Sequence, residues 1–243
     1  SLSWTHYRLL LRVDDPARRL ALQEKAISQG WSVTALEHEV VFGKGRAARP
    51  LRLLLSRPVG LLYFYRLTTR HLAGLELQVP NLDCGFKIWR NVELKGLAQA
   101  ADGLLVQSRR SGRSYRFAAA REQSPNFLYT YRAFLERAVD GDTVIVHVDC
   151  GFETYSRQRL RLRSINAPDP GFSGSERARR FVEKRIPRGQ PVVIKTHGSD
   201  KYERYLVDVL YLPRAKNAEK ILAEGRHLNQ EMLEEGVAVY DAR

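Results

Sequence analysis

Two hydrophobic periods divide the chain, a helical one in residues 1–41 and the two-residue alternation of strands in much of the remainder. Trp4, Tyr7, Leu10 and Leu11 fall at helical spacing and predict a first helix with those side chains inward. Asp15-Pro16 predicts the start of a second helix, Asp as N-cap and Pro in the first turn, with an end after Gln29 at Gly30. Ser32 caps a third, with Val33, Leu36 and Val40 inward. The period is then lost. Gly43, Gly45 and Pro50 among Lys44, Arg46, Arg49 and Arg52 read as a basic connector, Leu51 to Leu55 as a short strand or a turn of helix, and Pro58 and Gly60 as a turn.

The strand-like part repeats itself. At an offset of 66, Leu62-Tyr63-Phe64-Tyr65-Arg66 meets Leu128-Tyr129-Thr130-Tyr131-Arg132, and Asp83-Cys84-Gly85-Phe86 meets Asp149-Cys150-Gly151-Phe152. Eight identities at one offset without a gap mark an internal duplication. The Asp-Cys-Gly-Phe blocks read as turns between strands. The expected organisation is a helical segment over 1–45, a degenerate β copy over 46–126 and a complete copy over 127–243.

The copies differ where chemistry would sit. Opposite Asp140-Gly141-Asp142-Thr143 stand Gly74-Leu75-Glu76-Leu77, and opposite Arg161 stands Lys95. The first copy ends in a hairpin, Leu104 to Ser108 and Ser114 to Ala118 around Ser111-Gly112-Arg113, carrying Arg109, Arg110, Arg113, Arg116 and nearby Arg121 with Tyr115 and Phe117. It is either a solvated basic face or a strip that tracks phosphates. In the second copy Val144 to Val148, Val192 to Thr196 and Tyr205 to Leu210 are strands. Arg157, Arg159, Arg161 and Arg163 alternate along another and share one face. Ser173 to Glu176 resembles a capping box, which makes Glu176 a cap rather than a catalyst, and its helix stops at Pro187. Residues 213–226 read as an inserted loop and helix, and the last helix ends at Gly236.

Composition narrows the partners. Forty Lys and Arg against 27 Asp and Glu give a formal charge of +13, which favours a polyanion such as nucleic acid. No run of about 18 apolar residues suits a membrane span, and no signal peptide is visible. Cys84 and Cys150 lack metal-ligand spacing and read as buried thiols in a reducing, cytoplasmic setting, a disulfide being the alternative.

The candidate chemistry lies between Asp140 and Arg204. Asp142 and Asp169 bracket the strand of Arg161, and Asp200-Lys201-Tyr202-Glu203-Arg204 comes later in the chain. Two carboxylates able to share a metal, flanked by two arginines, suit attack on a phosphodiester. The ordered motifs D-G-D-T, R-L-x-L before x-A-P-x, D-K-Y-x-R and L-N-x-x-M-L-x-x-G are similar to the staphylococcal nuclease family over about 115 residues. The resemblance implies an α+β, mainly β fold, an OB-like five-stranded barrel with helices, and calcium-dependent cleavage of DNA or RNA. It makes Asp142, Asn166 and the Ala167 carbonyl metal ligands. Arg161 and Arg204 become stabilisers of the scissile phosphate, Lys201 and Tyr202 substrate contacts, and Asp169 the residue that orients or deprotonates water. Arg109, Arg110 and Arg113 are expected to add substrate contacts.

The family loop is usually D-x-P-E. Asn166 offers an oxygen without charge, which predicts weak Ca²⁺ binding. Asp169 is one methylene shorter than Glu and retracted by about 1 Å, a displacement that costs on the order of 10²-fold in rate. Asp140 or Glu153 is a further source of charge. The alternative is an eroded barrel that binds nucleic acid or protein as a scaffold. The first forty residues, from Leu-Ser-Trp-Thr-His-Tyr to Gly-Trp-Ser-Val-Thr-Ala-Leu-Glu, resemble the helical, helix-turn-helix-like module that precedes PD-(D/E)XK-type nucleases in bacteria, which implies work with DNA.

Overall fold

The computed structural model describes residues 2–43, 54–72, 77–91, 93, 101–120 and 123–242. Most of the basic connector, the residues opposite Asp140-Gly141-Asp142 and Arg161 in the first copy, and Arg121 lie outside them.

Three helices open the chain, α1 (Trp4–Leu10), α2 (Pro16–Ser28) and α3 (Val33–Phe42). Asp15 caps α2 through the Ala17 N–H, and Ser32 caps α3 through the Ala35 N–H. Both caps satisfy helix-end donors that would otherwise face water alone. Leu9, Leu10, Val13, Leu22, Ala26 and Leu36 form their core, with Val33 and Val40 against it. The inward face of α1 is only partly the expected one: Leu10 is buried, but Trp4 and Leu11 are 72% and 66% exposed. The buried row is His6, Leu9, Leu10 and Val13. It has the same helical spacing but is hidden by a polar member, since His6 is buried by a 3.0 Å contact between Nε2 and the Trp31 carbonyl.

The duplication is structural. β1 (Phe64–Leu72), β2 (Leu77–Asp83) and β3 (Trp89–Arg90) are followed by the hairpin β4 (Leu105–Ser111) and β5 (Ser114–Ala119). The second copy begins with β6 (Thr130–Ala138), β7 (Thr143–Asp149) and β8 (Tyr155–Leu162), each starting 66 residues after β1, β2 and β3. Positive φ recurs at the same offset, at Tyr63 and Tyr129, Gly85 and Gly151, and Phe86 and Phe152. The first copy forms a sheet in the order β3-β2-β1-β4-β5, whose ends do not pair among the described residues.

The second copy closes. After β8 come β9 (Ile165–Asn166), α4 (Ser175–Arg185), β10 (Pro191–Ser199), β11 (Tyr205–Tyr211), α5 (Ala218–Glu224), β12 (Arg226–His227), α6 (Leu228–Glu234) and β13 (Val239–Tyr240). The order β10-β6-β7-β8-β11 returns on itself through β10–β11 pairing, giving a five-stranded OB-like barrel. Closure leaves no open edge around the barrel wall. The predicted capping box at Ser173 is absent. The N-cap of α4 is Gly174 at φ 90°, without a side-chain cap, and Glu176 instead pairs with Arg179 and Arg180.

One continuous core spans both copies, from Tyr65, Leu67 and Leu82 to Val146, Leu160 and Ile194. Cys84 and Cys150 lie in it as free thiols whose burial pushes each up to about 12.

Candidate active-site cleft

Strand register assembles the site. The β7–β8 pairing sets Thr143 opposite Arg161, and the parallel β8–β11 pairing sets Arg161 beside Leu206, two residues past Arg204. Asp142, Arg161 and Arg204 thus meet at one end of three neighbouring strands. The turn before β7 permits the rest. A Cβ on Gly141 would lie 2.5 Å from the Cβ atoms of both Ala167 and Ala178. Glycine therefore lets the Ala167 loop and α4 close onto the Asp142 turn.

Asp142 is the centre. It is 5% exposed, and its Oδ1 accepts from Arg161 Nη1 at 2.9 Å and from the Thr143 hydroxyl at 3.1 Å. Its Oδ2 accepts from the Ala167 N–H at 3.0 Å. Burial pushes its carboxyl up to about 6, helped by the Asp140 charge, although Arg161 and the Ala167 N–H pull the other way. Arg161 Nη2 also reaches Asn166 Oδ1 at 3.1 Å and lies 3.9 Å from Asp241. Pairing of β9 with β13 fixes Asn166 opposite Val239.

Arg204 is held separately. Its Nε donates to Asp200 Oδ2 at 2.8 Å, and its Nη1 points at the Thr143 hydroxyl at 3.4 Å. Asp200 also accepts from the N–H groups of Tyr202 and Arg204. Burial works to raise this carboxyl, but those N–H groups and the guanidinium outweigh it and hold it below the usual range. Lys201 and Arg204 both lie over the Tyr202 ring, at 4.9 and 5.4 Å.

A cleft of about 1000 Å³ collects these groups. Asp142, Asn166, Arg161, Asp169, Lys201, Tyr202 and Arg204 all line it; Ala167 borders it through its bond to Asp142. Asp169 is exposed. Arg109, Arg110 and Arg113 are not brought here. They sit on the β4–β5 hairpin of the first copy, where Arg109 and Arg110 border a second groove and Arg110 pairs with Glu153 at 3.0 Å. The arginine row of β8 also divides. Arg159 and Arg161 face the cleft, Arg157 pairs with Glu136, and Arg163, just past the strand, pairs with buried Asp208.

Sequence reasoning missed two contributions to the cleft. Asp241 arrives with the C-terminal strand, and Thr34, Glu37, His38, Val41 and Phe42 arrive from α3. Neither carries a motif; only the tertiary fold places them.

The donor chemistry suits a hard cation. Four basic side chains (Arg159, Arg161, Lys201, Arg204) face six carboxylates (Glu37, Asp140, Asp142, Asp169, Asp200, Asp241). Asp142 and Asn166 offer oxygen only, the set that Ca²⁺ prefers. With one buried carboxylate beside an amide, and no cluster of three His, Cys, Asp or Glu among the described residues, binding would be weak.

A family model described as Staphylococcal nuclease homologue matches residues 159–243, which include Arg161, the Asn166–Asp169 loop and the Asp200–Arg204 turn but not Asp142. Among curated proteins none matches. Among the described residues no helix is long and apolar enough to cross a membrane.

Proposed function

We propose that the chain is a metal-dependent nuclease that hydrolyses phosphodiester bonds of DNA, and also of RNA, in the cleft around Asp142. The observation that carries this reading is the meeting of Arg161 and Arg204 at Asp142, one directly and one through Thr143, with Asp169 on the same cleft. The matched family supports a nuclease-type scaffold.

In the proposed reaction a water held by Asp169 attacks phosphorus in line with the leaving oxygen. The new P–O bond forms as the bond to the sugar oxygen breaks, the water's proton passes to Asp169, and the departing sugar oxygen takes a proton from solvent. Arg161 and Arg204 hold the non-bridging oxygens, where negative charge accumulates, and fixed donors there are worth about 3–4 kcal/mol each in a transition state. Ca²⁺, held by Asp142, Asn166 and the Ala167 carbonyl, would supply Lewis-acid polarisation of the phosphate. Arg161 lies on two of the same oxygens, so it and a cation compete for them. Lys201 and Tyr202 bind flanking phosphate and sugar, and Arg109, Arg110 and Arg113 provide a remote basic strip.

The test is cleavage of labelled single-stranded DNA by wild type and Arg161→Met, with calcium binding measured on both. The expected variant cleaves at least about 10²-fold more slowly yet binds Ca²⁺ more tightly, because the oxygens are released. Folded wild type that binds DNA and never cleaves it would instead support a scaffold.

A further inference from the structure

The α3 helix lies outside the matched residues 159–243, yet five of its residues line the cleft. His38 makes the closest link. Its ring stacks on Phe172 with centroids 4.4 Å apart and planes 19° apart, and Phe42 packs nearby at 5.1 Å. Phe172 belongs to the loop that carries Asp169. Its N–H donates to the Asp169 carbonyl at 3.1 Å, and its own carbonyl accepts from Ser175 at the start of α4. Ala167 and Pro168 are buried on the barrel side of the loop, but Asp169, Pro170 and Gly171 beyond them are exposed, and Gly171 and Gly174 both have φ of 90°. Glycines contribute no side chain to packing and leave the backbone free. Past Pro168 the Phe172 ring is the next side chain of this loop to pack, and His38 stacks on it.

We infer that α3 is the second wall of the catalytic cleft and that His38 is a positioning residue, fixing the Asp169 loop through its stack on Phe172. The inference rests on the proposed hydrolysis for its effect on rate, but not for its effect on the loop. His38 is 8% exposed, and its Nε2 is buried without a hydrogen-bond partner, so the ring acts through its faces. A phenylalanine keeps those faces. The wall also brings Glu37 into the cleft that Lys201 and Arg204 line, where its carboxylate opposes the entry of a polyanion.

The test compares His38→Ala, His38→Phe and Glu37→Gln in the full chain by amide hydrogen exchange over residues 169–175 and by steady-state cleavage. His38→Ala is expected to speed exchange at Phe172 and Ser175 at least about tenfold, with β7 and β8 unchanged. Its kcat falls by about 10- to 100-fold, as loss of roughly 1 Å of positioning costs, with KM little changed. His38→Phe restores both. Glu37→Gln is expected to lower KM for single-stranded DNA, and an unchanged KM would overturn the role of α3 as a wall of the cleft. Unchanged loop exchange in His38→Ala overturns the inference whether or not the protein cleaves. Accelerated exchange in a wild-type background that never cleaves upholds the brace and sinks only the hydrolysis. Should His38→Ala unfold, a His38→Phe variant with fast loop exchange overturns the inference.

Discussion

Tyr63 of the first copy donates its hydroxyl to Asp149 of the second at 3.0 Å, and Tyr129 of the second returns the same bond to Asp83 of the first at 2.7 Å. The exchange is reciprocal because the two positions are 66 residues apart on both sides. Glycine completes it. A Cβ on Gly151 would lie 2.1 Å from the Tyr65 hydroxyl, and one on Gly85 would lie 2.0 Å from that of Tyr131. Each turn thus receives a tyrosine from the opposite copy, and the two sheets share a core. The degenerate copy is a structural partner of the barrel.

Tyr63→Phe is expected to lower stability by about 1.5–3 kcal/mol, the worth of a hydrogen bond to a charged group. Gly151→Ala is expected to cost more, since it adds a clash at positive φ (82°). Urea unfolding with a conserved slope measures both.

The duplication, the hairpin closed at Gly112 and the helix caps at Asp15 and Ser32 were legible because each rests on local chemistry or identity in the chain. The motifs also singled out Asp142, Arg161, Asn166, Asp169 and Arg204, which line one cleft, but not Asp241, which only the fold brings there. The inward face of α1 was only partly legible, because a buried histidine broke the apolar pattern. The cap of α4 was misread because Gly171 and Gly174 bend the chain where Ser173 had promised an ordinary N-cap. The α3 wall was beyond sequence reading, since the stack of His38 on Phe172 joins residues 134 positions apart with no periodicity between them.

The Asn166–Asp169 loop departs from the D-x-P-E pattern of the family it resembles at two positions, and each predicts a gain. Asn166→Asp adds a charged oxygen to the cleft that Asp142 lines and is expected to tighten Ca²⁺ binding by about tenfold or more, read by calorimetry. Asp169→Glu restores the longer reach and is expected to raise kcat by about 10- to 100-fold. Equal or lower rates in Asp169→Glu would mean that the loop is already set for the shorter side chain.

Asp142 predicts opposite pH trends for stability and activity. Its folded carboxyl, raised to about 6 by burial, sits above the unfolded range near 4. Its contribution to stability is therefore full below about pH 4 and is lost as pH rises through about 6. Asp142→Asn, which cannot ionise, should gain stability relative to wild type across that window, measured as the difference in Tm. Cleavage needs the ionised form to hold Arg161 or a cation, so wild-type kcat/KM should rise with pH through about 6.

The most direct measurement is cleavage of single-stranded DNA across a Ca²⁺ titration with EDTA as blank, wild type beside Arg204→Ala, with DNA binding followed in the same samples. Arg204 is held by Asp200 and does not share the oxygens proposed for the cation. The account predicts calcium-dependent cutting that falls at least about 10²-fold in the variant while DNA stays bound. Calcium-dependent cutting that survives in Arg204→Ala, or no cutting by folded wild type at any calcium concentration, would contradict it.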